Sequence, residues 1–452
     1  MITPESLAAM RFGYGPFAGR LPALPPAGQL AQPDDMLARF PGIPGATVRD
    51  RLAAFNAHRR DRGAKVAGAD KAYADTRAEL GALFFAAART DIARAVASDT
   101  PYRERLVRFW ADHFTIRARR QIERALVSAY VDQAIRPNIT APFAKLLRAA
   151  TLHPGMLTYL DQTRSVGPGS AFGKRRDLGL NENLARELLE LHTLGVGEGY
   201  TQGDVTQLAE LLTGLAVGPD GGTAFEPRRA EPGAETVLGR SYGSNAPAAL
   251  ADIEAFLGDI ALRPETARHI ARKLAVHFVS DAPDAGLITA LTDTWADTGG
   301  DLMAVSAALA RHPAAQVPVL DKARQPFDFV VAALRALGVE GDRIVKLGDP
   351  PTRRLLLGPM ALMGQPYQAP RGPDGWVEAT AFWITPQQLA ARIDWSMQVP
   401  QRFRQPLPDP RDFVDQALAG AADDHLRKMV SRSENIAEGV GLVLAAPAFN
   451  RR

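Results

Sequence analysis

Helix-forming residues recur along almost the whole chain of 452 residues, and the alternation of apolar and polar residues typical of β-strands is nearly absent. Thr3-Pro4 and Thr100-Pro101 each place a capping residue before a proline, which is typical of a helix start. Residues 70–98 have the pattern of one long helix. We therefore predict a mostly α-helical protein with more than half of its residues in helices.

The length of the chain constrains its architecture. One hydrophobic core rarely grows beyond about 250–300 residues, so we predict a large multi-helix assembly of two lobes. A segment rich in glycine and proline interrupts the helical pattern and predicts a minor short β hairpin near 220–245. The predicted division is an N-terminal segment with a Pro-rich loop (1–64), a helical lobe (65–217), an irregular linker or hairpin (218–246), a second helical lobe (247–398) and a C-terminal helical tail (399–452).

Composition excludes several classes of protein. The chain has no cysteine, which excludes disulfides, cysteine nucleophiles and thiolate metal sites. The net charge is only +3 and the short basic clusters lack interleaved aromatic residues, so no nucleic-acid partner is expected. No apolar run is long enough to predict a membrane span. The first residues show no basic region followed by an apolar stretch, and this favours a cytoplasmic over a periplasmic location.

Residues 180–214 combine varied polar side chains with a glycine-rich turn. A regular helix, at about 100° per residue, has one apolar arc, which holds Leu184, Ala185, Leu188, Leu189, Leu191 and His192. The opposite polar arc holds Glu182, Asn183, Arg186, Glu187, Glu190 and Thr193. One interpretation is an amphipathic helix with one buried histidine and a solvated ion-pair ladder at i, i+4 spacing. The other is that the polar arc faces another part of the protein and forms a site.

If the polar arc forms a site, its carboxylates can act as general acids and bases or as oxygen ligands of a hard cation. The candidate catalytic residues are Glu187, Glu190 and His113. The candidate substrate-binding residues are Asn181, Asn183, Arg186, Arg272, Lys273 and His277. A structural interpretation stays open for each, since His113 suits a core position and residues 272–277 suit an ordinary basic helix face. No standard metal or nucleophile motif is present, so metal and cofactor stay unknown.

Several motifs resemble one bacterial family in their order along the chain. They are Arg11-Phe12-Gly13-Tyr14-Gly15-Pro16, Phe109-Trp110-x-x-His113-Phe114-Thr115, His153-Pro154-x-Met156-Leu157-x-Tyr159-Leu160-Asp161, the run from Asn181 to Gly195, Tyr200-Thr201-Gln202-x-Asp204-Val205, Ala271-Arg272-Lys273-Leu274-x-x-His277-Phe278-Val279 and Gly364-Gln365-Pro366. Together they resemble the domain of unknown function numbered 1800 and extend from Arg11 to about Trp395. The Asn-Glu-Asn run is the most specific of them.

This resemblance implies no particular reaction. It implies a family that is often exported and whose genes often neighbour those of an exported partner of the alkaline-phosphatase/sulfatase-like superfamily. The chain departs from the family in having no visible export signal. It also reads Arg228-Arg229-Ala230-Glu231-Pro232-Gly233 where relatives tend to carry a histidine before Glu-Pro-Gly, which argues against a metal role for that loop.

Two functions follow as expectations from the sequence. The first is a bacterial protein with a polar pocket that performs hydrolytic or transfer chemistry on a polar or anionic substrate. The second is a non-catalytic scaffold or assembly partner of the phosphatase/sulfatase-like protein. Clustering of Glu187, Glu190 and His113 in a concave pocket would favour the first, whereas a closed and fully paired network would favour the second.

Overall fold

The computed structural model describes residues 2–176, 179–247 and 249–452. It is 62% helical, which confirms the predicted mostly α class. The α-helices of the described residues are Pro4–Arg11, Pro26–Leu30, Met36–Arg39, Gly45–Gly63, Ala69–Ala97, Pro101–His113, Ala125–Tyr130, Phe143–Thr151, Pro154–Tyr159, Ala171–Arg176, Asn183–Glu187, Gln202–Leu211, Leu250–Ala261, Pro264–Phe278, Ala285–Thr298, Leu302–Arg311, Pro326–Ala336, Gly341–Val345, Asp349–Thr352, Gly358–Leu362, Pro386–Gln398, Pro400–Phe403, Pro410–Leu418, Asp424–Ser431 and Ile436–Ala445.

Short helices of other types join these. The 3₁₀ turns are Gln121–Glu123, Arg136–Asn138, Gln162–Arg164, Pro227–Arg229, Pro313–Gln316 and Thr380–Trp383. The π-helical segments are Val131–Ile135, Leu188–Thr193 and Arg353–Leu357. A π segment makes i→i+5 hydrogen bonds and so fits one more residue into a turn than an α-helix does. Residues that follow a π segment are therefore rotated about the helix axis relative to the positions that a regular α-helix would give them.

Local sequence explains where many helices begin. The hydroxyl of Thr3 accepts a hydrogen bond from the backbone N–H of Ser6 at 3.2 Å, and Pro4 takes the first helical position. Thr201 and Asp204 form a reciprocal capping box at the start of Gln202–Leu211. These side chains satisfy N–H groups that lack partners inside the helix. Across the described residues, no helix is both long and apolar enough to cross a membrane.

The buried apolar side chains form two cores. The first extends from Phe12 through the middle of the chain to Ala315. The second combines residues near the two ends of the chain, from Tyr14 to Ala125 and from Phe327 to Phe449. The two cores correspond to two lobes, as the length predicts. The residues of the two cores do not follow the boundaries of the five predicted segments. The division of the chain into those five segments stays a prediction.

The β structure consists of two small antiparallel hairpins. In one, Leu215–Val217 pairs with Thr223–Phe225 in the register Leu215 to Phe225. In the other, Pro232–Val237 pairs with Arg240–Pro247, with an irregularity between Pro232 and Ala234. The short β element predicted near 220–245 is therefore confirmed, and Val237 and Tyr242 pack it against the first core.

Candidate functional site

The two asparagines that flank Glu182 shape the start of its helix. The side-chain oxygen of Asn181 accepts from the backbone N–H of Asn183 at 2.9 Å, and the N–H of Asn181 donates to the hydroxyl of Ser165 at 3.0 Å. Asn183 itself is exposed. The side chain of Asn181 therefore stabilises the helix start by binding a backbone N–H, as asparagine commonly does.

Glu182, Arg186 and Glu190 form the ladder that the i, i+4 spacing predicts, and we call it the arginine ladder. Arg186 lies 3.2 Å from a carboxylate oxygen of each glutamate. Glu182 also accepts from the Gln202 amide at 3.0 Å and from the Thr206 hydroxyl at 2.8 Å. The hydrogen bond from Thr206 is the main reason that the pKa of Glu182 is lowered. The ladder is thus a paired network that is only partly exposed to solvent.

Glu187 lies outside this ladder. It is partly buried and forms no ion pair with any residue in the described part of the chain. Burial raises its pKa, and the charges of Glu190 and Asp374 raise it further. A carboxylate that is unpaired and close to other carboxylates is suited to exchanging a proton.

Asp112 lies at the end of the helix Pro101–His113, against a loop from the second lobe. Its two carboxylate oxygens lie 3.0 and 3.1 Å from the backbone N–H of Trp376. Gly375, with φ +78°, lets the loop approach, because a Cβ there would lie 2.7 Å from both the carbonyl oxygen and Oδ2 of Asp112. Burial, and next the charge of Glu378, raise the pKa of Asp112 to about 7.

Lys273, on the helix Pro264–Phe278, faces the same region. Burial lowers its pKa, while the charges of Asp112, Glu378 and Asp374 act in the opposite direction. Among the described residues no carboxylate oxygen lies within 4.0 Å of its ammonium group. We call Asp112, Glu187, Lys273 and Asp374 the Asp112 centre. Asp374 is exposed, so the centre has a side that opens to solvent.

A buried network of polar side chains includes Glu378, whose charge acts on Asp112. Arg105 lies 2.6 Å from Asp328 and 3.0 Å from Nε2 of His277, and Nδ1 of His277 lies 2.6 Å from Glu378. Since Arg105 can only donate, Nε2 of His277 accepts and Nδ1 carries the proton donated to Glu378. His277 is therefore neutral, which agrees with a pKa that burial lowers to about 4. We call Asp328, Arg105, His277 and Glu378 the buried relay.

His113 takes part in a different set of contacts. Its Nε2 donates to the carbonyl oxygen of His192 at 3.2 Å, and Nε2 of His269 donates to the carbonyl oxygen of Leu191 at 3.2 Å. These carbonyls lie at the end of a helix, where they have no partner within the helix. Burial lowers the pKa of His113 well below its ordinary value. The structure shows no hydrogen bond between His113 and Glu187 or Glu190.

His192 is buried at 1% exposure, as its position on the apolar arc predicts. Neither ring nitrogen has a hydrogen-bond partner in the described part of the chain. Burial lowers its pKa to about 3, so the ring is neutral. It packs against Phe114 and His113 with ring centroids 5.1 and 6.0 Å apart. His192 is therefore a core residue that leaves two polar atoms unsatisfied.

The three remaining candidates lie on the helix Pro264–Phe278 but have different surroundings. Arg272 is exposed and forms no ion pair with the described residues, Lys273 belongs to the Asp112 centre, and His277 belongs to the buried relay. Sequence reasoning missed Asp112, Asp374 and Glu378. The glycine-proline turn before Asp374 and the place of Asp112 beside His113 were visible signals, but nothing local shows that these segments meet.

The donor set does not have the arrangement of a metal site. Within the described ranges, no group of three or more histidine, aspartate and glutamate side chains is placed to hold a metal ion.

Fold and site together define a two-lobed helical protein in which one unpaired lysine interacts through its charge with several carboxylates. The chain matches the model of the DUF1800 family, described as a protein of unknown function, over residues 7–451. Because this match covers nearly the whole chain, the protein belongs to the DUF1800 family. No curated protein and no solved structure is significantly similar to it.

Proposed function

We propose that the protein is an enzyme that performs hydrolysis or group transfer on a polar substrate at the Asp112 centre. The observation that carries this proposal is that Lys273, which has no ion pair among the described residues, interacts through its charge with Asp112, whose pKa is raised to about 7. Groups with perturbed pKa values that are near one another but not paired are typical of functional sites. The arginine ladder differs in this respect, since each of its charges has a partner.

The chemistry of each group suggests its role. Asp112 can give and accept a proton near neutral pH, as a general acid or base must. Lys273 can stabilise negative charge that develops on a substrate oxygen. Glu187, whose pKa is also raised, is the candidate for a second proton-transfer group. The carboxylates outnumber the lysine, so a neutral or cationic polar substrate fits the centre better than an anionic one.

The buried relay has a positioning role in this proposal. Glu378 is held by His277 and by Lys322, which donates to the Glu378 backbone carbonyl at 2.5 Å. Its negative charge, fixed in this place, is the second cause of the raised pKa of Asp112. The relay therefore helps to keep Asp112 protonated near pH 7 without contacting the substrate.

The test is a panel of chromogenic esters, phosphoesters, glycosides and peptides offered to the wild-type protein, Asp112→Asn, Lys273→Met and a control, Arg272→Met. Arg272 is the exposed neighbour of Lys273 on the same helix. We expect turnover of one class by the wild type and the control, and a loss of at least about 100-fold in both site variants. Lys273→Met should keep or raise the melting temperature, because it removes an unpaired charge.

Two results would contradict the proposal. One is turnover that Asp112→Asn and Lys273→Met leave unchanged. The other is no turnover of any class, together with a lowered melting temperature for Lys273→Met, which would assign the lysine to the structure of the protein.

The arginine ladder favours a second candidate, a non-catalytic assembly partner of an alkaline-phosphatase/sulfatase-like protein. Its support is that Arg186 is bound by Glu182, Glu190 and Gln202, so this face is a closed network. The test is size-exclusion chromatography of the purified chain mixed with a phosphatase/sulfatase-like protein encoded beside it. Co-elution that Lys273→Met does not change would support this candidate, whereas separate elution would contradict it.

A further inference from the structure

A cavity of about 160 Å³ lies away from the Asp112 centre, between the first lobe and the helix Gly45–Gly63. Ile116, Val127 and Ala129 are buried apolar residues of its wall, and Gly155 and Val217 also line it. A cavity of about this volume is large enough for a single benzene ring. The interior of the cavity therefore suits one small apolar group.

The rim of this cavity carries charged side chains, and positive charges outnumber negative ones. Arg119 pairs with Asp161 at 2.5 Å, and Glu123 pairs with Arg120 at 2.6 Å. Arg49 and Arg117 also line the cavity, and neither has an ion pair among the described residues. Two arginines beside one opening thus keep uncompensated positive charge.

The histidine at the rim does not supply a counter-charge. Nδ1 of His153 accepts from the N–H of Gly155 at 3.0 Å, and Nε2 donates to the amide oxygen of Gln133 at 2.9 Å. Burial, and next the charge of Arg49, lower the pKa of His153 to about 4, so the ring is neutral. The polar atoms of His153 are already satisfied, which leaves the two arginines as the groups available to a ligand.

We propose that this cavity binds a small amphipathic anion, a carboxylate attached to an apolar body about the size of one ring. The apolar body would fill the cavity between Ile116, Val127 and Ala129. The carboxylate would lie at the rim, where Arg49 and Arg117 can donate charge-assisted hydrogen bonds. This site is independent of the proposed reaction. Tyr159 lines the cavity, and the charge of Glu187 contributes to the raised pKa of this tyrosine.

The probe is benzoate, with benzyl alcohol, benzylamine and acetate as comparison ligands, measured by calorimetry or ligand-observed NMR. Benzyl alcohol lacks the charge, benzylamine reverses it and acetate lacks the ring. We expect saturable binding of benzoate that is at least about 10-fold tighter than that of each comparison ligand, because a hydrogen bond to a charged group contributes this much. Equal binding of benzoate and benzyl alcohol would overturn the proposal, as would no saturable binding of benzoate.

Two variants assign the binding to this cavity. Arg49→Gln and Arg117→Gln should each weaken benzoate about 10-fold, whereas Arg51→Gln should leave its affinity unchanged. Arg51 lies on the same helix as Arg49 but pairs with Glu79 outside the cavity. Melting temperatures near that of the wild type show that the variants are folded. Unchanged benzoate affinity in both Arg49→Gln and Arg117→Gln would place the anion elsewhere and overturn the proposal.

Discussion

His277 donates its Nδ1 proton to Glu378 over 2.6 Å, although the two residues are 101 positions apart in the chain. The contact joins the helix Pro264–Phe278 to the loop that carries Asp374 and Trp376. This hydrogen bond lowers the pKa of Glu378 and keeps its negative charge near Asp112. The position of the loop with Glu378 therefore affects the pKa of Asp112, because the charge of Glu378 raises it.

Replacement of Glu378 by glutamine should lower the pKa of Asp112 below about 7 by removing the charge that helps to raise it. It should also destabilise the protein by about 3 kcal/mol, since Lys322 and the buried relay lose a partner. NMR titration of the Asp112 carboxyl and urea unfolding measure the two effects. The exposed Glu198→Gln is the control. An unchanged Asp112 titration would show that Glu378 does not act on it.

Replacement of Gly375 by alanine should displace the loop from Asp112. The new Cβ would lie 2.7 Å from two oxygens of Asp112, and φ +78° is unfavourable for alanine. We expect a loss of stability of about 2 kcal/mol and a loss of any turnover that depends on Asp112. The control is Gly348→Ala, whose nearest contact would be 3.7 Å away. Wild-type melting temperature and turnover in Gly375→Ala would contradict this view of the loop.

Replacement of His192 by leucine should keep or raise stability. Both ring nitrogens are buried without partners, and an apolar side chain removes their desolvation cost. His192→Ala should instead lower stability by about 2–4 kcal/mol, because it leaves a cavity. Urea unfolding of both variants measures the difference. If His192→Leu lowers the free energy of unfolding as much as His192→Ala does, the imidazole makes a stabilising interaction and the prediction is wrong.

Acid should destabilise the protein below pH 6.5. The pKa of His192 is lowered to about 3, those of His269 and His277 to about 4, and that of His113 well below its ordinary value. Between pH 6.5 and 4 the unfolded chain therefore binds protons that the folded protein excludes, and stability is lost as the pH falls. Asp112 acts in the opposite direction, since its raised pKa keeps a proton on the folded protein.

His153, whose pKa is also lowered to about 4, adds to this loss, and Glu235, whose pKa is raised to about 7, opposes it as Asp112 does. Because the lowered histidines outnumber the two raised carboxyls, the expected net loss between pH 6.5 and 5 is about 5 kcal/mol, at up to about 1.4 kcal/mol per pH unit for each unmatched group. Urea unfolding at several pH values measures it. His192→Leu should flatten the dependence, because it removes one of the excluded protons. A free energy of unfolding that stays constant from pH 7 to 5 would show that these histidines are protonated in the folded state.

The helical class could be predicted because its signals are local. Capping residues, first-position prolines and apolar periodicity act within a few residues, and they place the helix Ala69–Ala97 within a residue of its predicted bounds. The burial of His192 followed from the same periodicity. The two-lobed assembly followed from length alone, but the contribution of both chain ends to one core depends on contacts across the whole sequence.

The π segment Leu188–Thr193 made the prediction of buried and exposed positions from a regular helical period partly wrong. Thr193, expected on the polar arc, is buried, and its hydroxyl donates to the carbonyl of Leu188 at 2.6 Å. Leu191, expected on the apolar arc, is only partly buried. An extra residue in a turn rotates the positions that follow it, and a calculation at 100° per residue cannot detect it.

The missed residues of the Asp112 centre have a different cause. Asp112 meets the loop at Trp376, which is 264 positions later, so no local pattern reports the contact. Glu187 could be named because it lies on a helix with unusually varied polar residues, and Lys273 because it lies with Arg272 and His277 on one predicted helix. Their partners become recognisable only when the second lobe is folded against the first.

The end of the helix that carries Glu187 is held by imidazoles from two other helices. His113 and His269 bind the carbonyls of His192 and Leu191, which would otherwise face a low-dielectric interior unpaired. The last turn of this helix therefore cannot fray by itself, as a helix end in water does. It opens only if Pro101–His113 or Pro264–Phe278 moves away, so the three helices form one cooperative unit in slow local unfolding.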